Sequence, residues 1–148
     1  MDMRLKLINF WPPLAGAGIR VRMQPDMKAI DVEMKLRWWN RNYVGTHFGG
    51  ALYAMTDPFY MIMLIQNLGP GYVVWDKAAT IRFRKPGRGK VRAQFRLSES
   101  QIDDIRSKLQ NQEKLEPLFT VEVKDDNGVV VAEVEKLLYV RRKQELAG

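Results

Sequence analysis

Residues 42–58 read NYVGTHFGGALYAMTDP, and the architecture of the chain is organised around them. They lead into a run, Phe48 to Trp75, in which Asp57 is the single formal charge, although 28% of the chain is charged. An unpaired carboxylate in apolar surroundings costs several kcal/mol unless it takes up a proton or finds a partner. Asp57 therefore points either to chemistry or to an ion pair. Lys77, Thr56 and the backbone are the partners that the sequence offers. From Gly49 to Leu68 the residues are apolar on all sides, which predicts one long helix buried nearly all round. Pro58 removes a backbone N–H and should kink it about a turn and a half in, and Gly69-Pro70-Gly71 ends it.

Outward from this helix the periodicity changes to two. Ile30, Val32, Met34, Leu36 and Trp38 alternate with Asp31, Glu33, Lys35 and Arg37, the pattern of a half-buried strand. After the helix, Tyr72 to Lys85 ends in alternation, and Pro86-Gly87-Arg88-Gly89 reads as the turn of a hairpin into Val91–Leu97. Ser98 with Gln101 forms a capping-box signature for a short helix with Ile102, Ile105 and Leu109 on one stripe. Phe119–Val123 is the next strand, and Asp126-Asn127-Gly128 turns the chain into a long last one, Val129–Arg141. Ahead of all this, residues 1–20 predict an N-terminal extension with a short helix stopped by Pro12-Pro13. The expectation is α+β, with an antiparallel five-stranded sheet wrapped around one long helix and a second short helix inserted. One helix cannot cover five strands, so two copies should join to complete the burial.

The 148 residues, 46% of them hydrophobic, suit a single domain over 1–148 with its core over about 30–140. No Cys is present, which excludes thiol catalysis and Cys-based zinc sites, and one His excludes a His-rich metal site. The expectation is no metal and no cofactor. Met1–Phe10 lacks the continuous apolar core of a signal peptide, and the Phe48–Ile65 run is broken by Gly49, Gly50, Asp57 and Pro58, so no membrane span and a cytoplasmic location are expected. Net charge is +7, which suits an anionic partner.

The element order and the motif Asn-x-x-Gly-Thr, two residues, Gly-Gly-Ala-Leu-x-Ala-x-x-Asp together resemble the hotdog-fold acyl-CoA thioesterases. Within them the chain is most similar to the phenylacetate-type group, and closest to uncharacterised proteins described as tetrameric acyl-CoA thioesterases. The resemblance covers about residues 30–140. It implies an acyl-CoA substrate, a homo-oligomer (dimer or tetramer), and Asp57 as the catalytic acid. It also implies that Gly49 offers an N–H to the thioester carbonyl and that Asn42 lies near the reacting group. The His that usually precedes Gly-Gly is Phe48 here, with His47 one place earlier, and Val74-Trp75-Asp76 stands where a Ser or Thr is usual.

The residues support part of this independently. Gly49 and Gly50 at a helix start expose amides without helical partners, suited to a developing oxyanion. Eight residues separate Gly49 from Asp57, about 12 Å of helix rise, so one substrate meets both only if two subunits share a site. Each residue also has a plainer reading. The glycines suit close packing against the sheet, Asn42 an ordinary turn, and His47 a loop or helix-start position. Arg82, Arg84, Lys85, Arg88, Lys90, Arg92 and Arg96 crowd the predicted hairpin, with no acid between Lys77 and Glu99. Lys85, Arg88 and Lys90 around its turn are candidates for CoA phosphates. Two further readings stay open: a hotdog protein that holds acyl-CoA or a lipid without hydrolysing it, and a basic nucleic-acid-binding module. The second is disfavoured because Phe83 and Phe95 alternate inward and so are not interleaved with the arginines on the outer face.

Overall fold

The computed structural model describes residues 2–144. Met1 and residues 145–148, the ends of the span expected to form one domain, lie outside the described residues. Among the described residues seven strands form one antiparallel sheet, instead of the five expected. They are β1 (Ile19–Met23), β2 (Ala29–Lys35), β3 (Tyr72–Phe83), β4 (Lys90–Arg96), β5 (Lys114–Leu115), β6 (Leu118–Asp125) and β7 (Val130–Arg142). The order across the sheet is β1-β2-β4-β6-β7-β3, with β5 also pairing with β7. The two strands missed are short. β5 spans two residues before Glu116 and Pro117 interrupt it, and β1 pairs with β2 from Ile19↔Met34 to Met23↔Ile30.

Pro12-Pro13 starts a helix where a stop was expected. After α1 (Met3–Lys6) and a 3-10 turn (Ile8–Phe10), α2 (Pro12–Ala17) carries both prolines in its first turn. There the missing N–H has no helical acceptor to lose, and the fixed φ suits the helix. The long helix is likewise two pieces, α3 (Gly49–Ala54) and α4 (Phe59–Leu68). Pro58 cannot donate to the Ala54 carbonyl, which instead receives Asp57 N–H at 3.4 Å, so residues 55–58 tighten into a turn. A kink was expected, and a break is found.

Alternation places Ile30, Val32 and Met34, then Val91, Ala93 and Phe95, then Phe119, Val121 and Val123 on the face under the helices, all buried. Phe95 is the hub of this layer, its ring 5.1 Å from Phe59 and 5.1 Å from Tyr60, and Tyr60 stacks on Phe119 at 4.5 Å. The helices are less covered than their composition demands. Ile65 is exposed, and Met61 and Ile62 are only partly buried. α5 (Glu99–Lys108) carries the expected capping box: Ser98 Oγ accepts from Gln101 N, and Gln101 reaches back to Ser98 N. At the β6–β7 turn, Asp125 accepts from Asn127 and Val129 N–H at 2.9 Å each, and Gly128 takes the positive φ of 76°.

Pro86–Gly89 is not a hairpin turn. β3 lies at the edge beside β7, whereas β4 lies between β2 and β6, so residues 84–89 cross the end of the sheet. The basic residues expected on one hairpin are therefore split over two separated strands.

Stability should follow this layering. Phe95→Ala is expected to lower the free energy of unfolding by about 3–5 kcal/mol, through lost transfer and a cavity. Ser98→Ala, which removes a cap at the surface, should cost only about 1 kcal/mol. Denaturant unfolding of the two variants checks both.

Candidate active site

The helix break places Asp57 where the covered face opens. Its side chain is 48% exposed, and Oδ1 alone is engaged. Tyr53 on α3, one turn earlier, donates its hydroxyl to Oδ1 at 2.8 Å. Thr56 is turned inward and gives its hydroxyl to the Tyr53 carbonyl, and Lys77 pairs with Glu116 across the surface. Neither of these side chains is therefore the partner of Asp57.

Lys136 on β7 is, and the sequence reading missed it. It occupies an inward position between Val134 and Leu138 and is fully inaccessible to solvent. Its Nζ donates to Asp57 Oδ1 at 2.9 Å and to the Tyr53 hydroxyl oxygen at 3.0 Å, and lies 3.3 Å from Asp76 Oδ2. Burial alone would lower the ammonium's pKa. The hydrogen bonds to Tyr53 and Asp57, with the charges of Asp76 and Asp57, outweigh it and hold the pKa above the usual lysine value. The signal was present in the sequence as a cation at an inward position of an otherwise apolar alternation.

Asp76 reaches the cluster through a β-bulge. The β3–β7 register runs Asp76↔Leu138 and then Ala78↔Leu137, so Lys77 is the extra residue. Asp76 is three-quarters covered, and its Oδ1 is buried without a hydrogen-bond partner. Burial pushes its carboxyl above the usual value, against the pull of Lys136 and with the push of Asp57. Tyr53 is raised too, mainly by burial.

The other expected residues gather elsewhere. Asn42, His47, Gly49 and Lys85 line a shallow cavity of about 400 Å³ with Phe83 and Gly87, and Asp57 is not among its walls. Asn42 spends its amide inside the loop: Nδ2 donates to Thr46 Oγ1 and the His47 carbonyl, and Oδ1 accepts from Val44 and Thr46 N–H. His47 is buried and ties the loop to the crossover, donating its backbone N–H to Gly87 O at 3.0 Å. Its ring Nε2 is 2.7 Å from Gly89 O, which can only accept, so Nε2 carries the proton and the buried Nδ1 is bare. Gly49 and Gly50 precede the first helical bond, Leu52 N–H to Phe48 O, so their amides have no helical partner. A Cβ on Gly49 would come within 3.0 Å of the Phe83 ring, and one on Gly50 within 2.6 Å of Phe48. Both glycines thus also make room for aromatic rings.

The basic residues are mostly paired across strands. Arg82 meets Glu135, Arg84 meets Glu133, Arg92 meets Glu33 and Asp126, and Arg96 meets Asp31. The single-sign face expected is thus a mixed one. Lys90 lies 3.8 Å from Glu33, while Lys85 and Arg88, both exposed on the crossover, have no ion pair among the described residues. The described residues hold no His/Cys/Asp/Glu group suited to a metal and no helix long and apolar enough to cross a membrane.

Burial lowers the His47 pKa below its usual value of 6.5, opposed by the Gly89 hydrogen bond. Above pH 6.5 the ring is neutral folded and unfolded, and its contribution to stability is fully present. Below it the unfolded chain binds the proton first, and stability falls until the folded value is passed. Urea midpoints measured between about pH 7 and 5 should fall for the wild type and fall less for His47→Gln.

Several solved structures share the fold. A Pseudomonas aeruginosa protein described as of unknown function and a probable thioesterase superposes with a TM-score of 0.84 at 22% identity, covering 97% of each chain. A Haemophilus influenzae thioesterase gives 0.69 at 14% identity, covering all of this chain and 96% of its own. A mutant thioesterase from Staphylococcus aureus gives 0.63 at 12%, covering 86% and 97%. At such identities the likeness establishes the hotdog fold alone. No curated protein matches. A family model described as a domain of unknown function, DUF4442, matches residues 3–140, and the chain belongs to that family.

Proposed function

We propose that this protein hydrolyses an acyl-CoA thioester to the free acid and CoA. The observation that carries the reading is Asp57, half-exposed at a helix break, with Oδ1 held by Tyr53 and Lys136 and Oδ2 open. As general base, Oδ2 takes a proton from water while the water oxygen adds to the thioester carbon. The tetrahedral intermediate then breaks its C–S bond, and the proton passes to the departing thiolate. As nucleophile, Oδ2 would add to the carbon itself and expel CoA as its thiolate, which takes up a proton, and water would then cleave the resulting anhydride to the acid and free Asp57. Gly49 and Gly50 supply amides for the oxyanion. Asn42 and His47 hold the loop that presents those amides, and Lys85, Arg88 and Lys90 meet the CoA phosphates. The neighbours described as thioesterases support the chemistry at the level of shared fold.

Asp57 and the Gly49 cavity do not share walls within one chain, so the site takes its two halves from two subunits. The free edge of β3 suits the joint. Ala78, Ala79 and Thr80 are exposed and uncharged there, and a long unpaired edge is a template for pairing with another strand. Met61, Ile62 and Ile65 add apolar surface in need of cover.

A panel of acyl-CoA esters with a thiol-release readout should reveal a substrate. Asp57→Asn should then lower turnover by about 10²–10⁴-fold while keeping the fold, because Asp76 still balances Lys136. A variant as fast as wild type on the best substrate would sink the assignment, and tight binding without turnover by the wild type would favour a holding role.

Sedimentation at micromolar concentration should give a dimer or tetramer. A fully active monomer would contradict the shared site.

A further inference from the structure

We propose that Lys136 is a positioning residue for Asp57. Together with Tyr53 it fixes Oδ1 and leaves Oδ2 as the one oxygen that can meet water or a thioester, while Asp76 is the second anion that keeps Lys136 charged in the core. This rests on the reading of Asp57 as base or nucleophile. Lys136 cannot itself touch substrate, because its side chain has no solvent exposure.

Three elements converge to make the arrangement: the turn after α3 brings Asp57, the bulge in β3 brings Asp76, and β7 brings Lys136. The ammonium has three hydrogens and meets three oxygens, Tyr53 Oη, Asp57 Oδ1 and Asp76 Oδ2. Nothing is left over on the cation. The anions each keep one oxygen free, but with different surroundings. Asp76 Oδ1 is shut inside, whereas the Asp57 side chain is half open to solvent. The buried carboxylate serves the lysine, and the open one faces outward.

The charged and titratable groups facing Lys136 are Tyr53 from α3, Asp57 from the turn and Asp76 from β3. Without the cation, two carboxylates would face each other across low-dielectric space, and they would share a proton at higher pH than before. Asp76, which burial already raises, would lose the pull of Lys136 and keep its proton to higher pH still. An arginine would restore the charge. Its planar fork, however, cannot point three donors at the same three oxygens.

The experiment compares Lys136→Met, Lys136→Arg and Asp76→Asn in the full chain, with the fold checked by circular dichroism. Lys136→Met should lower kcat at neutral pH by about 10²-fold or more with KM changed little, and should move the acid limb of the rate profile to higher pH. Lys136→Arg should return that limb toward its original position and recover only part of kcat. If Lys136→Met does not fold, Lys136→Arg carries the test through the same split, and Asp76→Asn, which keeps the lysine on Asp57 Oδ1, is the variant expected to lose less kcat. Wild-type kcat and an unmoved acid limb in any folded variant that lacks the lysine would overturn the proposal. A carbon-13 titration of labelled aspartates separates this outcome from a failure of the thioesterase reading. The Asp76 signal should titrate at higher pH in Lys136→Met whether or not any acyl-CoA is hydrolysed, because the pull of Lys136 on it is lost. An unchanged Asp76 titration would overturn the proposal even in an active enzyme.

Discussion

A lysine ammonium inside the sheet–helix layer is the constraint around which the rest of this molecule is arranged. Moving such a charge out of water is expensive, and attraction to an anion repays it only when the geometry is good and the remaining protons are also satisfied. Two departures from regular structure meet that demand. Pro58 breaks the helix, which turns Asp57 toward β7 instead of leaving it on a continuous helical face. The extra residue Lys77 in β3 resets the alternation so that Asp76 points inward. A straight helix and an unbulged strand would leave Lys136 without its anions.

The outer face solves a different electrostatic problem. Its charges run strand by strand: Arg20 and Arg22 on β1, Asp31 and Glu33 on β2, Arg92 and Arg96 on β4, Glu133 and Glu135 on β7, Arg82 on β3. β6 mixes Glu122 with Lys124. Opposite signs thus mostly lie side by side, so the net charge of +7 is spread out rather than gathered into a stripe for a polyanion. Surface pairs of this kind contribute little each, about 0–1 kcal/mol, and their effect is to keep this face wet. Exposed apolar side chains lie elsewhere: Ile65 on α4, Trp75 and Phe83 on β3, Phe10 and Trp11 near the N-terminus, and Trp38, Tyr43 and Phe48 in the loop before α3.

How much of this was legible depended on whether local pattern or strand partnership carried the information. The half-buried strands β2, β4 and β6 announced themselves by alternation, β7 by the Asp126-Asn127-Gly128 turn ahead of it, and α5 by its capping box. Pro12-Pro13 was misread because proline ends a helix at one position and begins it at another, and local sequence did not say which. The crossover at Pro86–Gly89 was misread because a Pro-Gly loop between two alternating runs looks the same whether or not the strands pair. That error also turned cross-strand ion pairs into an apparent single-sign patch. Asp57 was visible because it lay alone in an apolar run. Lys136 was hidden by its neighbours: Glu133, Glu135 and Arg141 made the segment look ordinarily polar, and only the parity of its position marks it as inward. Asp76 needed the bulge, which no residue type advertised.

Strand order and chain order differ most at β7. It lies between β6 and β3, and both of these precede it in the chain. As the polypeptide is made, β3 has no neighbour in the sheet until residues 130–142 arrive. Asp57 and Asp76 are already present by then, two like charges with no cation between them. The strand that inserts last brings that cation, Lys136, with it. A nascent chain therefore completes its sheet and neutralises its core in one event, and a product ending short of that strand lacks both.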